Sequence, residues 1–150
     1  MLDERPAMEV NTLHPIFAAE LTGPDLSRAP DQALVDLVES LMQEHLVLCI
    51  RGQGHISDAE HLRFARAFGP LELPPGYDVR KDKPGRIAPE LYDASNLDPQ
   101  GEIVDRESLR AKFSKGNEIF HADSSFNDMP SKWSMLRGVI VPPERGNTEF

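Results

Sequence analysis

The stretch F-H-A-D-S-S-F, residues 120–126, sets a histidine and an aspartate two positions apart, ahead of two serines and an aromatic. Read as a strand, it carries His121 and Asp123 on one face and turns Ala122 to the other. An imidazole and a carboxylate on one face can converge on one ion. They are two members of the two-histidine, one-carboxylate set that leaves positions open on Fe(II). Zinc accepts the same donor types but usually wants more of them. The plainer reading is a histidine and an aspartate bonded to each other or to water, and H-x-D alone is too short to decide. No other histidine claims the missing place. His14 precedes a proline, His45 ends a helical pattern where a cation suits the helix dipole, His55 lies among glycines, and His61 falls inside a helical pattern.

Working outward, E-I-F-H-A-D-S-S-F (118–126) and K-W-S-M-L-R-G-V-I-V-P-P (132–143) read as two strands. In the second, Trp133, Met135, Val139 and Val141 alternate in part. Upstream the pattern is helical. Leu34, Leu37, Val38, Leu41 and Met42 share one face of a helix over residues 30–45, started by Asp31 or Pro30. L-V-L-C-I (46–50) reads as a short buried strand, and residues 13–26 as a short strand or turn. A second helix is expected over residues 57–69. Ser57 and Glu60 form a capping-box pattern, Gly69 and Pro70 stop it, and Leu62, Ala65 and Phe68 make its stripe with Phe64 beside. Residues 71–100 are rich in proline and glycine, with one weak strand at 87–96. A stretch of this kind is a functional lid or an unstructured surface loop. Residues 102–117 read as loop with a helical turn. Helices before a run of strands indicate an α+β fold or a helix-decorated β-barrel.

The 150 residues suit one domain, and 39% hydrophobic against 27% charged content favours a folded core over disorder. A net charge of −9 repels phosphate backbones, so no nucleic-acid partner is expected. The main basic cluster, R-K-D-K-P-G-R (80–86), is broken by Asp82 and Pro84 and reads as a solvated loop. With one cysteine, Cys49, no internal disulfide can form, which fits a reducing cytoplasm. Cys49 itself reads as a buried, inert thiol. The first ten residues lack the apolar region of a signal peptide, and no run approaches the roughly 18 apolar residues of a membrane span.

N-E-I-F-H-A-D-S-S-F (117–126) followed by W-S-M-L-R-G-V-I-V-P-P-E-R-G-N-T-E-F (133–150) resembles the iron-binding region of the TauD/TfdA family of 2-oxoglutarate-dependent dioxygenases. L-H-P-I-F-A-A-E-L (13–21), L-V-L-C-I-R-G-Q (46–53), F-A-R-A-F-G-P-L-E (64–72) and D-A-S-N (93–96) extend the resemblance in the same order, closest to the 2,4-dichlorophenoxyacetate branch. It implies a double-stranded β-helix, or jelly roll, with flanking helices, of which residues 1–150 are the N-terminal portion. It implies Fe(II), 2-oxoglutarate and O2, with His121 and Asp123 as two iron ligands. Thr148 matches the threonine that binds the distal carboxylate of 2-oxoglutarate. Asn117 matches an active-site asparagine, and Tyr77 a tyrosine that touches substrate. Pro74 stands where taurine enzymes carry a sulfonate-binding histidine, which argues against taurine.

In that family the second histidine ligand and the 2-oxoglutarate arginine lie far downstream of the matched region. This chain alone is therefore expected to be inactive, and an apolar sheet face is expected to be uncovered. The implied reaction hydroxylates a small anionic organic substrate, with collapse of an aryloxyacetate ether leading and alkylsulfatase or taurine-type sulfonate chemistry second. Lys81, Lys83, Arg86 and Arg110 are candidate cations for such an anion. A non-enzymatic remnant and a cupin-type metal protein using another histidine are the remaining readings. Family members are often oligomeric, which leaves a homo-oligomer open.

Overall fold

The computed structural model describes residues 7–83 and 85–150. The N-terminal residues 1–6 and Pro84 of the basic loop lie outside the described residues, as do the side chains of Arg110 and Phe113. The chain divides into two compact units, Met1–Pro70 and Leu71–Phe150.

The first unit is a three-stranded sheet with two helices. Strand β1 (Glu9–Thr12) pairs antiparallel with β2 (Ala19–Thr22), and β2 pairs parallel with β3 (Leu48–Ile50), in the order β1-β2-β3. Parallel neighbours need a long crossover, and helix α1 (Gln32–His45) supplies it. β2 alternates as a strand with one covered face should: Ala19 and Leu21 are fully buried, while Glu20 and Thr22 are half-buried. The Glu20 carboxylate takes the Arg51 guanidinium just beyond β3. Beyond β2, Gly23 has a φ of +101°, and a Cβ there would come within 2.5 Å of the Ala7 carbonyl oxygen. β1 was not foreseen, because Glu-Val-Asn-Thr is exposed throughout and shows no apolar face.

Helix α1 begins after Asp31, not Pro30. The Asp31 carboxylate accepts the Leu34 N–H at 2.9 Å, satisfying a first-turn donor. Leu34, Val38 and Leu41 are its buried face. The helix ends at Leu46 in the left-handed region, with φ of 64° and its N–H donating to the Met42 carbonyl. Leu46 is therefore an exposed cap, and the strand expected over 46–50 shortens to Leu48–Ile50, half-buried throughout. Cys49 is half-buried rather than buried.

Helix α2 (Asp58–Arg66) carries the expected capping box. Ser57 Oγ accepts the Glu60 N–H at 3.3 Å, and the Glu60 carboxylate accepts the Ser57 N–H at 2.6 Å. Regular helix stops at Arg66, and tighter turns carry the chain to Gly69. The stripe differs from expectation: Leu62 and Phe64 are buried, while Ala65 and Phe68 are half-buried. Phe64 and Phe68 meet edge-on at 5.2 Å, so the aromatic pair, rather than the i, i+3 row, carries this packing. Every buried aliphatic or aromatic side chain among the described residues from Ala19 to Phe64 falls in this unit.

The second unit is held chiefly by polar ties. It contains α3 (Tyr77–Arg80), α4 (Leu109–Ser114), a 3-10 turn over Lys115–Glu118 and one bridge between Leu97 and Ile103. Arg80 donates to the carbonyls of Pro89 and Leu91, Arg86 binds Asp93 and Ser95, and the Asp98 carboxylate accepts the N–H groups of Gln100 and Glu102. Residues 71–100 are thus tied by side chain to backbone, and turns replace the weak strand expected at 87–96.

The strands expected at 118–126 and 132–143 do not form; turns, bends and irregular backbone stand there. Ladders need a neighbour for their N–H and C=O groups, and no strand is described in this unit to provide one. The sheet described is accordingly small and mixed, without the jelly-roll strands. Phe120, Phe126, Met129, Ile140 and Val141 are more than 75% exposed, so the expected uncovered apolar surface exists, but on irregular backbone. No helix among the described residues is long and apolar enough to cross a membrane.

Leu41→Ala should destabilise the first unit by about 2–5 kcal/mol, through lost burial and the cavity left behind; denaturant titration followed by helical circular dichroism measures it.

A second prediction concerns pH. His55 Nε2 meets Asp25 Oδ1 at 3.1 Å, and His55 Nδ1 meets the Gly52 carbonyl. Hydrogen bonding from Ser27, then from His55, holds the Asp25 carboxyl down at about 2, while the Asp25 carboxylate raises His55 above its usual 6.5. The Asp25 contribution is present above 3.8 and lost as pH falls towards 2. The His55 contribution is complete below 6.5 and lost as pH rises through its raised value. Melting temperature should therefore fall modestly above pH 6.5, and His55→Ala should flatten that fall.

Candidate metal centre

The loop after the 3-10 turn brings His121 and Asp123 together. His121 Nε2 lies 3.2 Å from Asp123 Oδ1, with both side chains about half exposed. A strand was expected to align them; a turn beginning at Asp123 does so instead. His121 Nδ1 lies 2.7 Å from the Ile119 carbonyl oxygen. A carbonyl only accepts, so Nδ1 carries the proton and Nε2 is presented towards Asp123.

The donor set fits a divalent cation. Adjacent ligands on an ion with bonds of about 2.1 Å stand about 3 Å apart, near the spacing seen here. Nitrogen and oxygen donors suit Fe(II), Mn(II) and Zn(II) alike. No cluster of three or more His, Cys, Asp or Glu side chains suited to a metal is present among the described residues. His55 is held by Asp25, His14 meets the Phe17 ring at a tilt with centroids 4.7 Å apart, and His45 lies 3.8 Å from Glu44.

The loop is pinned from a distance. The Glu72 carboxylate accepts the Ser124 hydroxyl at 2.7 Å, the Ser131 hydroxyl, and the Asn127 side-chain amide at 2.9 Å. Ser124 is buried and lies in the left-handed region at φ 57°. The hydroxyls of Ser124 and Ser131 hold the Glu72 carboxyl below the usual range, against burial and the nearby Asp123 charge. Sequence reading gave Glu72, Ser124, Asn127 and Ser131 no role. The only signal was Glu72 ending F-G-P-L-E and Ser124 following Asp123 in motifs already singled out.

The other expected site residues are not joined to the pair. Tyr77 opens α3 and is half-buried, Asn117 sits exposed in the 3-10 turn, and Thr148 is exposed in the last irregular segment. No hydrogen bond or ring contact links them to His121 or Asp123 among the described residues. Of the candidate cations, Lys81 pairs with Asp78 at 3.0 Å and Arg86 with Asp93. Arg110 lies outside the described side chains.

Residues 9–150 match the family model described as taurine catabolism dioxygenase TauD, TfdA family, and the chain belongs to that family. Among curated relatives, the alpha-ketoglutarate-dependent 2,4-dichlorophenoxyacetate dioxygenase of Cupriavidus pinatubonensis is 40% identical over 93% of this chain and 48% of its own length. An alkylsulfatase of Acinetobacter baylyi is 30% identical over 89% of this chain and 36% of its own. The chain thus spans about half the length of the first of these relatives, or less. Of solved structures, AAD-2 in complex with Mn(II) and N-oxalylglycine matches with a TM-score of 0.70 and 29% identity, over 85% of this chain and 40% of that one.

His121→Ala and Asp123→Ala should each abolish saturable Mn(II) binding measured by calorimetry, while His55→Ala and His61→Ala leave it intact; loss in either of the latter would move the centre elsewhere.

Proposed function

We propose that this chain carries the metal-binding loop of an Fe(II)- and 2-oxoglutarate-dependent dioxygenase acting on a small anionic aryloxyalkanoate. The observation that carries the reading is the convergence of His121 Nε2 and Asp123 Oδ1 within a chain of this family. His121 and Asp123 would hold Fe(II). The bound metal, with 2-oxoglutarate and O2, supplies oxidation of a substrate C–H, and hydroxylation beside an ether oxygen gives a hemiacetal that collapses to a phenol and an oxo acid. The chain's own part is to fix the two donors and shelter the substrate. Thr148 is proposed to bind the distal 2-oxoglutarate carboxylate, and Asn117 and Tyr77 to line the substrate.

An anionic substrate is supported by a cavity of about 240 Å³ in the second unit. Arg80, Lys83 and the Arg86–Asp93 ion pair line it, with Ile87, Pro89 and Pro99 as apolar wall. Cations beside apolar surface suit an aryl or alkyl carboxylate or sulfate. The aryloxyacetate is preferred on the higher identity, 40% against 30%; the alkylsulfatase likeness keeps a sulfate ester as the second reading. Because no third ligand joins the pair among the described residues, we expect this chain alone to be inactive.

The test is a chimera joining residues 1–150 to the remaining half of the Cupriavidus relative. With Fe(II), 2-oxoglutarate and 2,4-dichlorophenoxyacetate it should release phenol and succinate in equal amounts, and the chain alone should release neither. Sulfate release from an alkyl sulfate without phenol release selects the second reading. A folded, metal-loaded chimera inert to both classes would overturn the proposal.

A further inference from the structure

We propose that Glu72 is a positioning residue for the metal-binding loop, acting through Ser124 on Asp123. The inference rests on the reading of His121 and Asp123 as metal ligands and goes beyond it.

Glu72 gathers three side chains distant in sequence. Oε2 takes the hydroxyls of Ser124, 52 residues on, and Ser131, 59 residues on; Oε1 takes the amide of Asn127, 55 residues on. Ser124 and Ser131 also meet each other at 3.1 Å. Both carboxylate oxygens are engaged, and the loop is fixed at three points along eight residues.

The point nearest the metal pair is also the one that needs holding. Ser124 follows Asp123 directly, and its φ of 57° is uncommon for a residue with a Cβ. It is the buried polar side chain of the described residues, and its hydroxyl goes to Glu72. Its carbonyl accepts the Asn127 N–H at 3.0 Å, and Ser125 Oγ donates to the Ala122 carbonyl at 3.2 Å, so the turn is also closed locally. That turn directs Asp123 Oδ1 towards His121. With no ladder in this segment, Glu72 performs the task a neighbouring strand would otherwise perform. Partners of this kind, one bond removed from a ligand, set its orientation and hence its affinity.

The experiment compares the chain with Glu72→Ala, Glu72→Gln and Ser124→Ala, reading Mn(II) affinity by calorimetry and hydrogen exchange of residues 122–127. Circular dichroism confirms that the helices are retained. Glu72→Ala and Ser124→Ala should weaken Mn(II) binding roughly 10- to 100-fold and speed exchange in the loop. Glu72→Gln, which keeps one acceptor oxygen, should restore most of the affinity. Unchanged affinity in Glu72→Ala, with binding still abolished in His121→Ala, would overturn the proposal. If the parent chain binds no Mn(II), the metal reading fails and the metal-positioning proposal is overturned with it; faster exchange in Glu72→Ala would then show only that Glu72 holds the turn that sets Asp123 against His121.

Discussion

Leu21 is the contact on which the first unit is built. It is completely enclosed in the middle strand, flanked by β1 on one side and β3 on the other. A central strand must face apolar cover, and α1 has to cross over to bring β3 parallel to it. The burial of Leu34, Val38 and Leu41 follows from that crossover, as does the sharp cap at Leu46 that returns the chain to the sheet. Each of these side chains, once enclosed, contributes roughly 1.5–3 kcal/mol.

The second unit obeys a different rule. With its apolar side chains largely exposed, it is ordered by polar groups that find partners across long loops. Arg80, Arg86, Asp98 and Glu72 each tie backbone or side chains from separate turns. Such ties give location more than stability: an exposed charged hydrogen bond is weak individually, yet several converging on one loop restrict where it can go. His121 and Asp123, the proposed metal ligands, lie on one of these tied loops. Loops commonly carry function on a scaffold of regular elements, and the partner of this loop is the Glu72 carboxylate rather than a strand.

Much of the first unit was legible. Helix periodicity and the Ser57–Glu60 box are local signals, encoded within a few residues, and they placed α1 and α2 closely. The misreadings came where local pattern needs a distant partner. Residues 118–126 and 132–143 have strand character, but a strand is a relation between two segments, and none is described beside them. β1 went unseen for the opposite reason: its residues lack strand character, and pairing with β2 alone makes it one. Phe64 was set beside the stripe because helical spacing cannot anticipate an aromatic pair closing over it.

By itself the sequence determined the two capped helices, the short strand between them, the family, and the His121–Asp123 pair, because each is written in residue type and short spacing. The tertiary structure alone decided that the pair meets on a turn, with His121 Nε2 free to face Asp123. It alone decided that the Glu72 carboxylate, 52 residues away, accepts the Ser124 hydroxyl in that turn. The reason is physical: a hydrogen bond depends on distance in space, and nothing in a carboxylate's neighbours along the chain specifies which hydroxyls will reach it.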